Sequence, residues 1–147
     1  MSDAPAPRAA ANRAVTEQLW ADLYRRDFDA VGAHFHADGT YTDVPTPAED
    51  VAAGPAEIAA RLRLGLGPLE RIEHDIGHIV AEGDLVLTEH VETWFWDDDT
   101  SVALPFVSVH EFRDGKIARW ADYWDLQTLL GAAPQWWLDH IMAGWQT

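Results

Sequence analysis

In the stretch WADYWDL, residues 120–126, a carboxylate stands between two tryptophans. Side chains on an extended strand alternate between faces, so Trp120, Asp122 and Trp124 share one face while Ala121, Tyr123 and Asp125 take the other. A carboxylate among indoles is disfavoured in its charged form. Asp122 is therefore either a buried structural acid with hydrogen-bond partners or a group that exchanges a proton near neutral pH, which is the work of a general acid or base. The same alternation along LVLTEHVETWFW, residues 85–96, puts Val86, Thr88, His90, Glu92, Trp94 and Trp96 on one side. His90 and Glu92 are then either pocket residues or an exposed cross-strand pair. Tyr41 and Asp43 alternate in YTDVP and both can point inward, unless Pro45 makes that segment only the lead into a loop.

The remaining histidines are weaker signals. His74 and His78 fall on one strand face with Ile72, Ile76 and Val80, the pattern of core or pocket-lining residues, and no third ligand sits at metal-site spacing. His34 and His36 are expected at a helix end, capping or solvated. Neither H-E-x-x-H, nor G-x-S-x-G, nor a glycine-rich phosphate loop, nor a dinucleotide fingerprint occurs. Metal, acyl-enzyme and nucleotide chemistry have no support, and no cofactor is expected.

These residues need a frame. A chain of 147 residues suits one domain with a core and a modest pocket. Hydrophobic residues make up 48%, yet no apolar run approaches the roughly 20 residues of a membrane span. The opening MSDAPAPRAAANRA carries no leader pattern, so the cytoplasm is the expected location. Cysteine is absent, and a formal charge of −15 repels phosphate backbones and anionic membranes. Neither nucleic acid nor membrane is an expected partner.

Residues 1–11, rich in Ala and Pro, read as a flexible segment. Helical spacing begins near Asn12 with Val15, Leu19, Trp20 and Leu23, and a short second helix follows with Asp27 as its N-cap. A short strand stops at Pro45 and Pro47, and a third helix spans about 55–64. Beyond Pro68 the period becomes two, giving strands over about 71–81, 85–96, 102–112 and 116–124, with hairpin turns at Gly83 and at Asp114-Gly115. Asp125 caps a following helix. The segment 132–147 is an apolar helical tail in which Trp137, Ile141 and Trp145 recur every four residues, as a cover for a cavity or a docking face would require. The resulting class is α+β, a curved antiparallel sheet wrapped around N-terminal helices into a cone, with one domain over residues 12–131.

LVLTEHVETW, LPFVSVHEFRDGKIARWADYWDL and YTDVP together resemble the nuclear transport factor 2-like superfamily, in its branch of limonene-1,2-epoxide hydrolases and SnoaL-like polyketide cyclases. The matching epoxide hydrolase strands read T-E-R-V-D, G-K-I-x-x-W-R-D-Y-F-D and Y-x-N-x-P. The resemblance implies a conical cavity for a small hydrophobic substrate and dimerisation through the sheets. It also implies that Asp122 activates water together with Tyr41, and that Glu92 protonates the epoxide oxygen. Two positions depart from the pattern: His90 stands where an arginine links the two acids, and Asp43 replaces a water-binding asparagine. Trp94, Trp120, Trp124, His74 and His78 are the expected substrate-binding residues.

Three functions stay open at this stage. One is cofactor-free epoxide hydrolysis; the second is proton abstraction next to a carbonyl, as in SnoaL-like cyclases and ketosteroid isomerases. The third is a ligand-binding module without turnover.

Overall fold

A computed structural model describes residues 5–145. Four α-helical segments and a helical turn frame one six-stranded sheet: α1 Pro5–Tyr24, α2 Phe28–Gly32, β1 Phe35–Asp43, β2 Ala52–Ala53, α3 Pro55–Leu66, β3 Arg71–Glu82, β4 Leu85–Asp97, β5 Thr100–Arg113, β6 Lys116–Tyr123, α4 Leu126–Ala132 and α5 Gln135–Trp145. The sheet runs β2-β1-β6-β5-β4-β3; β1 lies parallel to β6 and every other pair is antiparallel. Curved and unclosed, it wraps one face around the helices.

The period-two pattern explains the sheet's orientation. Val86, Thr88, His90, Glu92, Trp94 and Trp96 of β4 are all buried, and the alternate residues are not. On β5 the inward set is Val102, Leu104, Phe106, Ser108, His110 and Phe112. The hairpins close where expected, with Gly83 (φ 57°) and Gly115 (φ 79°) in the left-handed region that glycine tolerates without a Cβ clash. The Asp27 carboxylate caps α2 through the Ala30 N–H, and Asp125 caps α4 through the Thr128 N–H.

Two features depart from the sequence reading. The first helix is already formed at Pro5, and residues 5–11 are part of it rather than a flexible lead. Ala9 and Asn12 are buried, and Asn12 Nδ2 donates to Gly83 O at 3.0 Å, which ties the helix to the β3–β4 turn. The alanines that suggest a loose terminus in composition are also the best helix formers, and burial of one face decides the outcome.

The second departure is in β3, where the pairing slips between Ile76 and His78. One extra residue in a strand reverses the face of everything after it. Ile72 and His74 therefore face the helices, whereas His78 and Val80 face outward and Ile79 and Ala81 turn in; Ile76, at the slip itself, is exposed. His36 is likewise a strand residue of β1, bonded to Arg113 O, and His34 bonds the Asp22 carboxylate at 2.7 Å. Neither caps a helix.

Candidate active site

The wrapped face of the sheet encloses a cavity of about 650 Å³, within the size range of small-molecule pockets. Tyr41, Asp43, Glu92, Trp94, Trp120 and Asp122 line its sheet side. Leu62 and Leu66 of α3, Leu129 of α4, and Trp137, Ile141 and Trp145 of α5 close the other side. The tail thus covers the cavity. His74, His78, His90 and Ser108 do not line it.

Of the four acidic residues that line this largely apolar space, Asp43, Asp50, Glu92 and Asp122, all but Asp50 are held by an indole N–H. Trp120 Nε1 donates to Asp122 Oδ1 at 2.5 Å, Trp124 Nε1 to Asp43 Oδ1 at 3.0 Å, and Trp94 Nε1 to Glu92 Oε1 at 3.0 Å. Strand alternation accounts for two of the pairs, because residues i and i+2 stand side by side on one face. The third spans 81 positions and joins β1 to the end of β6. An indole donor fixes a carboxylate's direction but is neutral, so it adds no compensating charge, whereas Arg61 of α3, which also lines the cavity, pulls Asp43 down against burial. Among the described residues none of the three acids makes an ion pair.

The electrostatic consequence follows from burial. Asp122 is held well above the usual carboxylate range, first by desolvation and then by the charge of Asp43, against the pull of its hydrogen bonds. Desolvation also raises Asp43 and Glu92. Tyr41 donates to Asp43 at 2.8 Å and Tyr24 donates to Glu92 Oε2; burial lifts both phenols well above their ordinary range. Both bonds to Asp122 fall on Oδ1, from Ser108 Oγ at 2.5 Å and from Trp120. Oδ2 is the oxygen left to take a proton from a molecule in the cavity.

The SnoaL-like domain model matches residues 16–120. The chain belongs to this SnoaL-like family. Its fold is shared with an LEH-like epoxide hydrolase from M. tuberculosis, 27% identical over 93% of this chain and 96% of that one, with a TM-score of 0.71. A Jannaschia sp. CCS1 structure assigned to the SnoaL-like polyketide cyclases aligns with a TM-score of 0.76 at 17% identity, covering 91% of this chain and 99% of that one. A Bacillus subtilis structure assigned as an isomerase aligns at 0.71 and 17% identity, covering 84% and 92%. No curated protein matches the chain.

Within this SnoaL-like cavity the structure brings together Asp122, Glu92, Tyr41, Asp43, Trp94, Trp120 and Trp124. It does not place the histidines as expected. His90 is buried but does not link the acids: its Nε2 faces Ser108 Oγ at 2.8 Å and its Nδ1 faces His74 Nε2 at 2.8 Å. An imidazole is shorter than an arginine and cannot span both carboxylates. His74 stacks on Tyr24, with ring centroids 3.9 Å apart, behind the cavity wall. His78 points away altogether, exposed and 2.7 Å from Glu89, because of the β3 bulge.

Two residues that touch the acids went unread in the sequence. Ser108 lies directly across from Asp122 in the β5–β6 register, and the sign of it is a lone serine in the apolar inward face of β5. Tyr24 comes from α1, and no local spacing ties it to Glu92, 68 residues away.

Proposed function

We propose that this protein is a cofactor-free acid/base enzyme that hydrolyses an epoxide on a small hydrophobic substrate. The observation that carries the reading is the set of three proton-retaining carboxyls, each aimed by an indole, in one apolar cavity. Epoxide opening needs a base for water and an acid for the departing oxygen, and both must act in the same dry space. Asp122 is the base. Glu92 is the acid, because Tyr41 holds its proton too tightly and already donates it to Asp43. The likeness to the LEH-like epoxide hydrolase extends over nearly the whole of both chains and supports this choice.

The productive form has Asp122 ionised and Glu92 protonated. Burial raises both acids, so the pair retains a proton toward neutral pH, and with that proton on Glu92 the Asp122 carboxylate is free to take one from water. Hydrolysis of a terpene-sized epoxide in H₂¹⁸O is expected to give a diol with one labelled oxygen, read by mass spectrometry.

A second reading, proton transfer next to a carbonyl, is favoured by one observation: His90 leaves the acids unlinked, and a lone aspartate suffices for that chemistry. It predicts deuterium exchange from D₂O into a ketone and no diol. Loss of both signals would leave a ligand-binding module.

The outer face of the sheet carries Val80, Leu85, Val107 and Tyr123, each at least 38% exposed. This apolar surface supports a homodimer formed through the sheets. Equilibrium sedimentation is expected to give twice the 16.4 kDa chain mass, and a Val107→Lys variant is expected to sediment as a monomer.

A further inference from the structure

We infer that Ser108, His90 and His74 form a proton conduit that equilibrates Asp122 with solvent at the β3 edge of the sheet, beside α1, by a route separate from the cavity. The chain of contacts is continuous: Asp122 Oδ1 to Ser108 Oγ at 2.5 Å, Ser108 Oγ to His90 Nε2 at 2.8 Å, and His90 Nδ1 to His74 Nε2 at 2.8 Å. Ser108 and His90 are buried, whereas His74 is partly exposed. None of the three lines the cavity that Asp122 faces. The inference rests on the proposed function only in taking Asp122 as the group that cycles between two proton states.

Hydrogen bookkeeping fixes the direction of every bond. An ionised carboxylate only accepts, so the single hydroxyl proton of Ser108 points to Asp122, and Ser108 Oγ must accept from His90 Nε2–H. Burial lowers His90 to about 3 and His74 to about 4, so each ring is neutral and carries one N–H. The bare Nδ1 of His90 then accepts from His74 Nε2–H, and Nδ1 of His74 is bare at the outer end.

Loading moves four protons one step each. Ser108 gives its hydroxyl proton to Asp122, His90 Nε2–H passes to Ser108, His74 Nε2–H passes to His90 Nδ1, and His74 Nδ1 takes a proton from solvent. Asp122 is neutralised and no other member changes charge. Every hydrogen now points outward, so the reverse step discharges a proton held on Oδ1, and one taken from the cavity on Oδ2 enters this route when the carboxyl group turns about its Cβ–Cγ bond. The titratable and charged groups around the path are Tyr24 on α1, Asp43 on β1, Asp75 on β3, Glu92 on β4, His110 on β5 and, across the cavity, Arg61 on α3. None of them is hydrogen-bonded to Ser108, His90 or His74, so the path does not branch among the described residues.

A network that only satisfied buried polar groups would hold the same distances, so the test reads proton movement rather than stability or turnover. The Asp122 carboxyl stretch, assigned by its loss in Asp122→Asn, is followed by infrared spectroscopy after a rapid pH jump on the substrate-free protein. His74→Phe keeps a ring against Tyr24, and Ser108→Ala cuts the path at its other end; native tryptophan fluorescence establishes that each is folded. Each variant is expected to slow protonation of Asp122 at least ~10-fold, while His78→Ala, an exposed histidine off the path, matches the wild type. Wild-type rates in either folded variant would overturn the conduit and leave the proposed function standing. Absence of diol or exchanged ketone would overturn that function and leave the infrared result unaffected.

Discussion

Asp122→Asn is expected to lower turnover by at least ~10²-fold and, in the same protein, to raise the melting temperature at neutral pH. The geometry allows a clean substitution. Both hydrogen bonds land on Oδ1, so the asparagine carbonyl can accept from Ser108 and Trp120 and only Oδ2 is replaced by an amide nitrogen. What disappears is the buried charge and the proton acceptor facing the cavity. The stability effect follows from linkage. In the unfolded chain Asp122 loses its proton near its ordinary value of 3.8, whereas the folded chain retains it to much higher pH. Between those two values the folded state binds the extra proton, so the Asp122 contribution to stability is fully present below pH 3.8 and is lost as pH rises through the folded-state value. Asparagine carries no such penalty. Each tenfold change in the acid constant corresponds to about 1.4 kcal/mol, or roughly 3–6 °C in Tm for a chain of this size. Thermal melts of both proteins should coincide below pH 3.8 and diverge as pH rises, with the variant melting higher. A variant that melted lower at pH 8, or turned over normally, would show that Asp122 is a satisfied structural acid.

The acids were legible in the sequence and their partners were not, for a physical reason. Strand alternation is local and strict, so WADYWDL and LVLTEHVETW were enough to set Asp122, Glu92 and three of the indoles on the wrapped face. The helix caps and hairpin glycines are local as well, and Asp27, Asp125, Gly83 and Gly115 perform as their types predict. Partnership across strands depends on register, which is a non-local quantity. The slip beside Gly77 adds one residue to β3 and sends His78 outward while His74 stays inward, and nothing in RIEHDIGHIV marks that break except the glycine itself. The histidine at position 90 is the instructive error. Its position in the pattern implied the role of an arginine, but a side chain's reach decides what it can touch, and an imidazole on β4 reaches Ser108 and His74 instead of two carboxylates.

Trp137→Ala is expected to cost about 3–5 kcal/mol, a fall in Tm of roughly 6–20 °C, and to raise KM for any apolar substrate. The helix that bears it, α5, has Trp137 as its one buried side chain among the described residues. The indole packs edge-on against Trp94 and Trp96, with ring centroids 5.9 and 5.6 Å away, and its Nε1 donates to Gly65 O at 3.0 Å. Truncation therefore removes the packing, leaves a cavity that the neighbouring rings cannot fill, and frees the carbonyl of Gly65. Ile141 and Trp145 line the same cavity further along the helix and are only partly buried, so neither can hold α5 down alone. Trp137→Phe separates the contributions in part: it keeps an aromatic ring against Trp94 but loses the hydrogen bond, about 1 kcal/mol, and the packing of the deleted ring, so its cost falls between those of no change and of the alanine variant. The chemistry should respond to the same change, because Trp94 is also the donor that aims Glu92. Once its packing partner is gone, Trp94 is freer to turn, water enters, and the dry environment that raises Glu92 is lost, so the high-pH limb of the activity profile should move to lower pH in Trp137→Ala and remain in place in Trp137→Phe. An alanine variant with an unchanged melting temperature and pH profile would mean that α5 does not close the cavity in solution.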